Sequence, residues 1–552
     1  MAKRAGAIAA ASLGLAAVTA FMLTARRSRP SVQVEVGEGR LLGVLEDDII
    51  AFKGVPYAAP PIGPLRWRPP QRHAGWRGLR RADRMGPIAL QAYKPDDNGV
   101  GPLPMSEDCL TLNVWAPAER TRRLLPVMVW IHGGGFVNGS ATAALYDGSG
   151  LARQGVVVVG VNYRLGRLGF FAHPALGAEH PEELKGNYAL MDMLAALEWV
   201  QRNIAAFGGD SANVTVFGES AGGMAVNRLM ISPLAEGLFH KAISQSGAGR
   251  DTSAPLDQAE EAGRAFVEGL GLAARTPEEL RAIPGATILA DGDPDVSQGW
   301  GPIIDGKLLT MDVEPAFAGA AQAKVPYLAG SNALEFPIPE RAFESALKRR
   351  ARLSDSERKE LAAAYPSESA FRDRFISDFI FAEPARRLCA LHAAAGAPAW
   401  LYRFSVLSKA AASLFKAAPH ASERQYVFRT LSASTWPTAE MDEKAAETIS
   451  AYWVAFAQTG DPNGGRRPSW PAYDSAKDRL LEFTNKGPVA RKTPDAAPLD
   501  AVAAVRARSA AAAVAATAPT PRKGRATATP TPGRGSGAGR VRRARSETLP
   551  RS

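Results

Sequence analysis

Cysteine is almost absent from this chain of 552 residues: Cys109 and Cys389 are the only two. Two thiols form one disulfide at most, so a disulfide framework and a four-cysteine zinc site are both excluded. The redox compartment stays open. No His/Cys cluster shows metal-ligand spacing, so neither a metal nor a cofactor is expected. Also lacking is a basic body. Of the net charge of +11, residues 501–552 supply +10, through eleven Arg and Lys against Glu547 alone. Residues 1–500 then hold 55 basic and 54 acidic groups, a near-neutral surface without an electrostatic footprint for a polyanion. No specific nucleic-acid partner is expected. Large apolar side chains are missing from the far C terminus, where Ala512–Ser552 has one Leu, no Ile and no aromatic residue. Such a stretch buries too little surface to offset its ordering entropy. Residues 489–552 therefore read as a basic, disordered Ala/Pro/Thr/Arg-rich tail, able to sit near anionic lipid or to stay solvated.

What is present divides the remainder in two. Lys3 and Arg4 precede an uncharged run from Ala5 to Ala25, which meets Arg26, Arg27 and Arg29. Twenty-one helical residues reach about 31 Å, enough for a hydrocarbon core. Residues 1–30 read either as a signal peptide, cut after Ala20 or Ala25, or as an uncleaved anchor. Export or membrane association is expected, through this segment or the basic tail. Residues 31–488 are dense and globular. Strand-like runs such as Val127–Ile131, Val156–Val161 and Val214–Phe217 end in Gly-rich turns and alternate with helical periodicity, as in Ala189–Gln201. That alternation predicts an α/β domain with a mostly parallel central sheet flanked by helices.

Chemistry concentrates where two of these runs end. Gly218-Glu219-Ser220-Ala221-Gly222 follows Asn213–Phe217 directly, a G-x-S-x-G turn between a strand and a helix. The turn must project the Ser220 hydroxyl above the sheet edge, and side chains at 218 and 222 would collide with neighbouring backbone. Upstream, His132-Gly133-Gly134-Gly135 follows Val127–Ile131, so bare backbone can approach a ligand there. The expected oxyanion donors are the backbone N–H groups of Gly134, Gly135 and Ala221.

With these motifs the sequence resembles the type-B carboxylesterase family, which includes bacterial para-nitrobenzyl-type esterases and the cholinesterases. The resemblance runs from about Val36 to Phe483. It rests on Phe52-Lys-Gly-Val-Pro-Tyr-Ala58, Ser106-Glu-Asp-Cys-Leu-Thr-Leu-Asn-Val114, Asn203-Ile-Ala-Ala-Phe-Gly-Gly-Asp210, Pro302-Ile-Ile-Asp-Gly306 and Thr459-Gly-Asp-Pro-Asn463. It implies an α/β-hydrolase fold with long loop insertions and a serine carboxylic-ester hydrolase acting through an acyl-enzyme.

In that fold the triad runs Ser, acid, His along the chain. His240 follows Ser220 too closely to leave room for an acid, and His392 sits in the apolar helix-like Leu388–Ala395. His420, in Pro419-His-Ala-Ser-Glu-Arg-Gln-Tyr-Val-Phe428, matches the family's histidine segment. For the acid, the family's Asp-Glu-Gly appears here as Leu334-Glu335-Phe336, so Glu335 is favoured, with Glu340 or a nearby Asp as substitute. Phe336, standing for glycine, should alter the local backbone and narrow the pocket. The family's cysteine ahead of Gln91 is missing, so Cys109 should be a free thiol. Ala189 and Met193 replace the family's Gly and Gln, a repacking of the helix before the nucleophile. The resemblance implies a small-molecule ester as substrate. Carbamate, amide or thioester hydrolysis would use the same groups, and a non-catalytic binding protein is the alternative from another class. The oligomeric state is not legible.

Overall fold

β-branched runs and the glycines that end them set the architecture. The computed structural model describes residues 30–92, 103–119, 121–290, 301–336, 343–345, 347, 351 and 353–517. Its strands are β1 (Ser31–Val36), β2 (Gly39–Glu46), β3 (Ile49–Pro56), β4 (Leu79–Arg81), β5 (Thr111–Pro117), β6 (Leu125–Ile131), β7 (Val157–Val161) and β8 (Gly209–Glu219). There follow β9 (Lys241–Gln245), β10 (Ala254–Pro255), β11 (Ile303–Ile304), β12 (Tyr327–Asn332), β13 (Ala399–Phe404), β14 (Arg479–Thr484) and β15 (Gly487–Lys492). Except for the small β10–β11 pair they form one sheet, in the order β1-β2-β3-β5-β7-β6-β8-β9-β12-β13-β14-β15, with β4 beside β2. From β7 to β14 every pairing is parallel, and the outer pairings β1–β2, β2–β3, β3–β5, β5–β7 and β14–β15 are antiparallel.

The parallel strands are apolar on both faces, as strands covered twice by helices must be. In β6, Val127, Val129 and Ile131 face one core cluster, and Met128 and Trp130 face the other. On the second face Trp130 meets Tyr146, Phe217 and Phe428 with ring centroids 4.8–5.0 Å apart. The helical periodicity predicted over Ala189–Gln201 is α1 (Tyr188–Asn203), buried along most of its length. Cys109 and Cys389 are both buried free thiols.

The domain boundary differs from the sequence-based expectation at 488. Val489–Lys492 continue β15, paired in register with Arg479–Glu482. The C-terminal helix α6 spans Ala496–Thr517 and buries Leu499 and Val502. Ion pairs hold this segment: Asp495 with Arg374 (2.8 Å) and Arg403 (3.1 Å), and Asp500 with Arg386 (2.6 Å). The order thus comes from sparse apolar anchors plus charge pairing, which an apolar count does not reveal. By contacts the chain divides into Met1–Ala504 and Val505–Ser552. No described helix is long and apolar enough to cross a membrane. The targeting segment up to residue 29 and the tail from 518 lie outside the described residues.

A chain ending at residue 488 removes most of β15, one of the two partners of β14, and the buried Leu499 and Val502. It should melt several degrees below a chain ending at 517, a difference that a thermal unfolding scan reads directly. Equal melting temperatures would show that β15 and α6 contribute no stability.

Candidate active site

Parallel strands of such a sheet present their carboxyl ends along one edge, where ligands bind in open α/β folds. Ser220 follows β8, His132–Gly135 follow β6, Ser246 follows β9, and Glu335 lies three residues beyond β12. His420 arrives on the long connection after β13, ahead of α5 (Arg424–Phe428).

The turn at Ser220 requires its glycines. Ser220 has φ 55° and ψ −124°, a left-handed conformation for a residue with a side chain, and α2 (Ala221–Ile231) starts immediately after it. An added Cβ on Gly222 would lie 2.0 Å from the Ile131 carbonyl oxygen, so the helix packs directly on the end of β6. The upstream glycine loop is held against the same turn. A Cβ on Gly133 would meet Ser220 Cβ at 3.0 Å, and one on Gly134, at φ 108°, would lie 2.2 Å from the Asn138 carbonyl oxygen. Gly135 is also left-handed, at φ 62°, and Ala221 is fully buried as the first residue of α2. Gln91 fastens the far side of the loop, accepting from the Gly139 N–H (2.7 Å) and donating to its carbonyl (2.9 Å).

Ser220, His420 and Glu335 form one hydrogen-bonded chain. His420 Nε2 is 2.9 Å from Ser220 Oγ, and His420 Nδ1 is 2.6 Å from Glu335 Oε2. The other Glu335 oxygen accepts from Ser246 Oγ (2.6 Å) and from the Asn332 N–H (2.7 Å). The His420 N–H donates to the Glu335 carbonyl at 2.8 Å, tying the two segments through backbone as well. Glu340, the alternative acid, lies outside the described residues. The other downstream histidines are engaged elsewhere. His240 Nδ1 accepts from the Val214 N–H (3.1 Å), and the fully buried His392 has its Nε2 2.8 Å from the Val325 carbonyl. His132, beside the glycine loop, stacks on Tyr163 at 4.2 Å and is held neutral, its pKa lowered to about 4 by burial.

Sequence reasoning missed several neighbours. Ser246 stands in Gln245-Ser246-Gly247 at the end of β9, a position the carboxyl-edge rule singles out once β9 is recognised. Glu423, buried, accepts from Gln245 Nε2 (3.0 Å) and Asn332 Nδ2 (2.8 Å), and burial raises its pKa. Glu219, inside the serine pentapeptide, is 1% exposed with Oε1 3.2 Å from His420 Nε2. Burial pushes its carboxyl up to about 7, against the charges of His420 and Arg424. Away from this site, His180, Glu182 and Glu183 bring ligand atoms within 4.8 Å of one another, but Glu183 is already paired with Arg68.

These acids decide the state of the imidazole. Burial favours neutral His420, yet the Glu219 charge and the Glu335 hydrogen bond outweigh it and raise its pKa to about 9. Removing the Glu219 charge must therefore lower the value. In an NMR titration His420 should deprotonate well above a free histidine in the wild type, and at distinctly lower pH in Glu219→Gln. An unshifted midpoint would mean that Glu219 exerts no field on the ring.

Comparison with known proteins gives the family and the fold. The profile described as the Carboxylesterase family matches residues 28–372 and 364–500. A fumonisin B1 esterase from Sphingopyxis macrogoltabida is 39% identical over 85% of this chain and 89% of its own. The para-nitrobenzyl esterase of Bacillus subtilis (strain 168) is 36% identical over 80% of this chain and 93% of its own. Among solved structures, a thermophilic PNB esterase superposes with a TM-score of 0.76 at 32% identity, covering 85% of this chain and 99% of its own. A carboxylesterase of Geobacillus stearothermophilus gives 0.73 with the same identity and coverage. Sequence family, α/β-hydrolase fold and homologous esterases agree, and the chain belongs to the carboxylesterase family as a carboxylesterase.

Proposed function

We propose that this enzyme hydrolyses small-molecule carboxylic esters through an acyl-enzyme on Ser220, with His420 as general base and acid and Glu335 orienting it. The observation that carries the reading is the continuous Ser220–His420–Glu335 hydrogen-bonded chain at the carboxyl edge of the parallel sheet. Ser220 Oγ attacks the ester carbonyl carbon as its proton passes to His420 Nε2. The carbonyl π bond opens, leaving negative charge on oxygen. The backbone N–H groups of Gly134, Gly135 and Ala221 are the proposed donors to that oxyanion, an arrangement in which one donor is typically worth about a hundred- to a thousandfold in rate. When the tetrahedral species collapses, the C–O bond to the alcohol breaks and His420 gives its proton to the departing oxygen. Water then repeats the sequence on the acyl-Ser220 ester, releasing the acid and restoring the serine.

Glu335 serves without exchanging a proton with substrate. Its carboxylate fixes the imidazole with Nδ1–H inward and stabilises the imidazolium that forms. As His420 must be neutral to accept the Ser220 proton, acylation should rise with pH through its ionisation, towards about 9.

The substrate named for one relative, fumonisin B1, belongs in the test set beside simple apolar esters. Aromatic Phe336 and Phe381 lie against His420, which favours apolar groups at the reacting centre. For location, the proposal remains export or membrane association, through the N-terminal segment or the basic tail. Deleting residues 518–552, which include nine Arg and Lys and one Glu, should weaken binding to heparin or anionic vesicles and leave ester hydrolysis unchanged.

Ser220→Ala and His420→Ala should each lower kcat by roughly a thousandfold or more, and the double variant should be little worse than either. Glu335→Gln should lower kcat strongly with a smaller change in KM. Steady-state kinetics on a chromogenic ester measures all four. His420→Ala retaining a tenth of wild-type turnover would remove it from the base role. Collapse in Glu340→Gln, with Glu335→Gln active, would reassign the acid.

A further inference from the structure

Phe336, directly after the orienting carboxylate, lies over the imidazole. Its ring centroid is 4.6 Å from that of His420 with the planes 31° apart. Behind it Phe381 lies 5.6 Å from Phe336 and 5.1 Å from His420. The two rings differ in surroundings: Phe381 is 5% exposed, whereas Phe336 is 36% exposed. Both are held from below. The Phe336 N–H donates to Ser377 Oγ at 3.2 Å. Ser377 ends helix α3 (Glu368–Ser377), and Phe381 belongs to the single π-turn Asp378–Ala382 that joins it to α4 (Glu383–Ala394). That turn is anchored at both ends. Tyr365 OH donates to Asp378 Oδ2 at 3.0 Å, and Arg250 pairs with Glu383. π-Turns inside helices recur at functional sites, where they redirect side chains.

The chemistry of the second half of acylation says what the free face of Phe336 meets. His420 must give its proton to the departing alkoxide, so the alcohol oxygen comes within hydrogen-bonding distance of Nε2 and its carbon chain begins beside the imidazole. Of the two phenylalanines against that ring, Phe336 is the exposed one. We propose that Phe336, backed by Phe381, is the wall of the leaving-alcohol subsite and selects flat apolar alcohols, such as benzyl, over short alkyl ones. This rests on the proposed roles of Ser220 and His420. A ring fixed in place loses little freedom when a second ring packs on it, and aromatic surfaces attract beyond simple area burial. Both effects act only on the alcohol, since that group has left before water attacks the acyl-enzyme. The wall therefore alters acylation and leaves deacylation of a given acyl group unchanged.

Two ester series separate this role from others: acetates of ethanol, cyclohexylmethanol and benzyl alcohol, and ethyl esters of acetate, butyrate and hexanoate. In Phe336→Ala the kcat/KM preference for benzyl over ethyl acetate should fall about tenfold, the scale on which apolar pockets discriminate. Phe336→Tyr should retain it, Phe336→Leu should fall between, and the acyl-chain preference should not change. Thermal melts confirm that each variant is folded. A shift along the acyl series in place of the alcohol series would overturn the assignment, as would an equal loss on every ester. Wild-type enzyme inactive on both series would sink the Ser220 mechanism itself. Active wild type with alcohol preference intact in Phe336→Ala would sink the wall alone.

Discussion

Glu335 sits where three separate stretches of chain meet, almost fully buried, and its contacts tie them together. One oxygen faces His420 Nδ1, while the other accepts from Ser246 after β9 and from the Asn332 N–H at the end of β12. Its carbonyl takes the His420 N–H. A carboxylate in such surroundings must be matched on both oxygens, because an uncompensated buried charge costs several kcal/mol. The requirement runs outward: satisfying Glu335 holds the β12 turn against β9, and holding His420 aims Nε2 at the serine. The position of the imidazole is thus a by-product of solvating one anion without water.

That anion has company. Glu219 and Glu423 are buried near the same imidazole, so several potential negative charges share one small volume. Burial alone would neutralise the carboxyls, and it does raise the pKa of Glu219 and of Glu423. Two features make the cluster tolerable. Asn332 and Gln245 donate to Glu423, and the ring of His420 faces both Glu219 and Glu335 as a cation when it carries two protons. The cost of packing acids together is lowest when the imidazole is protonated, which in the proposed mechanism is the state formed during acyl transfer. Placing charge ahead of need in this way would be preorganisation for the proposed reaction.

Much of this could be read from the chain because backbone constraints leave a residue signature. Gly218 and Gly222 are dictated by the approach of α2 to β6, and Val127–Ile131 and Val214–Phe217 announce strands buried on both faces. Order along the chain singled out His420, and Glu335 stood out although both its neighbours differ from the family's. The structure brings these positions into one hydrogen-bonded line. Ser246 is legible only through the end of β9 that it follows, and Glu423 and Phe381 left no such trace, because each acts through a partner distant in sequence. The end of the folded body was also misplaced. β15 is an edge strand with polar and charged residues, and Ala-rich α6 shows two large apolar side chains among its first seven residues. A composition count sees solvent-exposed chain there, whereas Asp495 and Asp500 are paired to arginines that the sequence does not identify as partners.

The two thiols have a practical consequence. Cys109 and Cys389 are free, fully enclosed and pushed towards the protonated form by burial. The thiolate is the reactive species, so oxidants and alkylating reagents find little to act on in the native state. Neither thiol cross-links the chain, and its stability draws nothing from the redox poise of its surroundings. Folding of the described body therefore waits on no disulfide, and no oxidising step is needed to complete it.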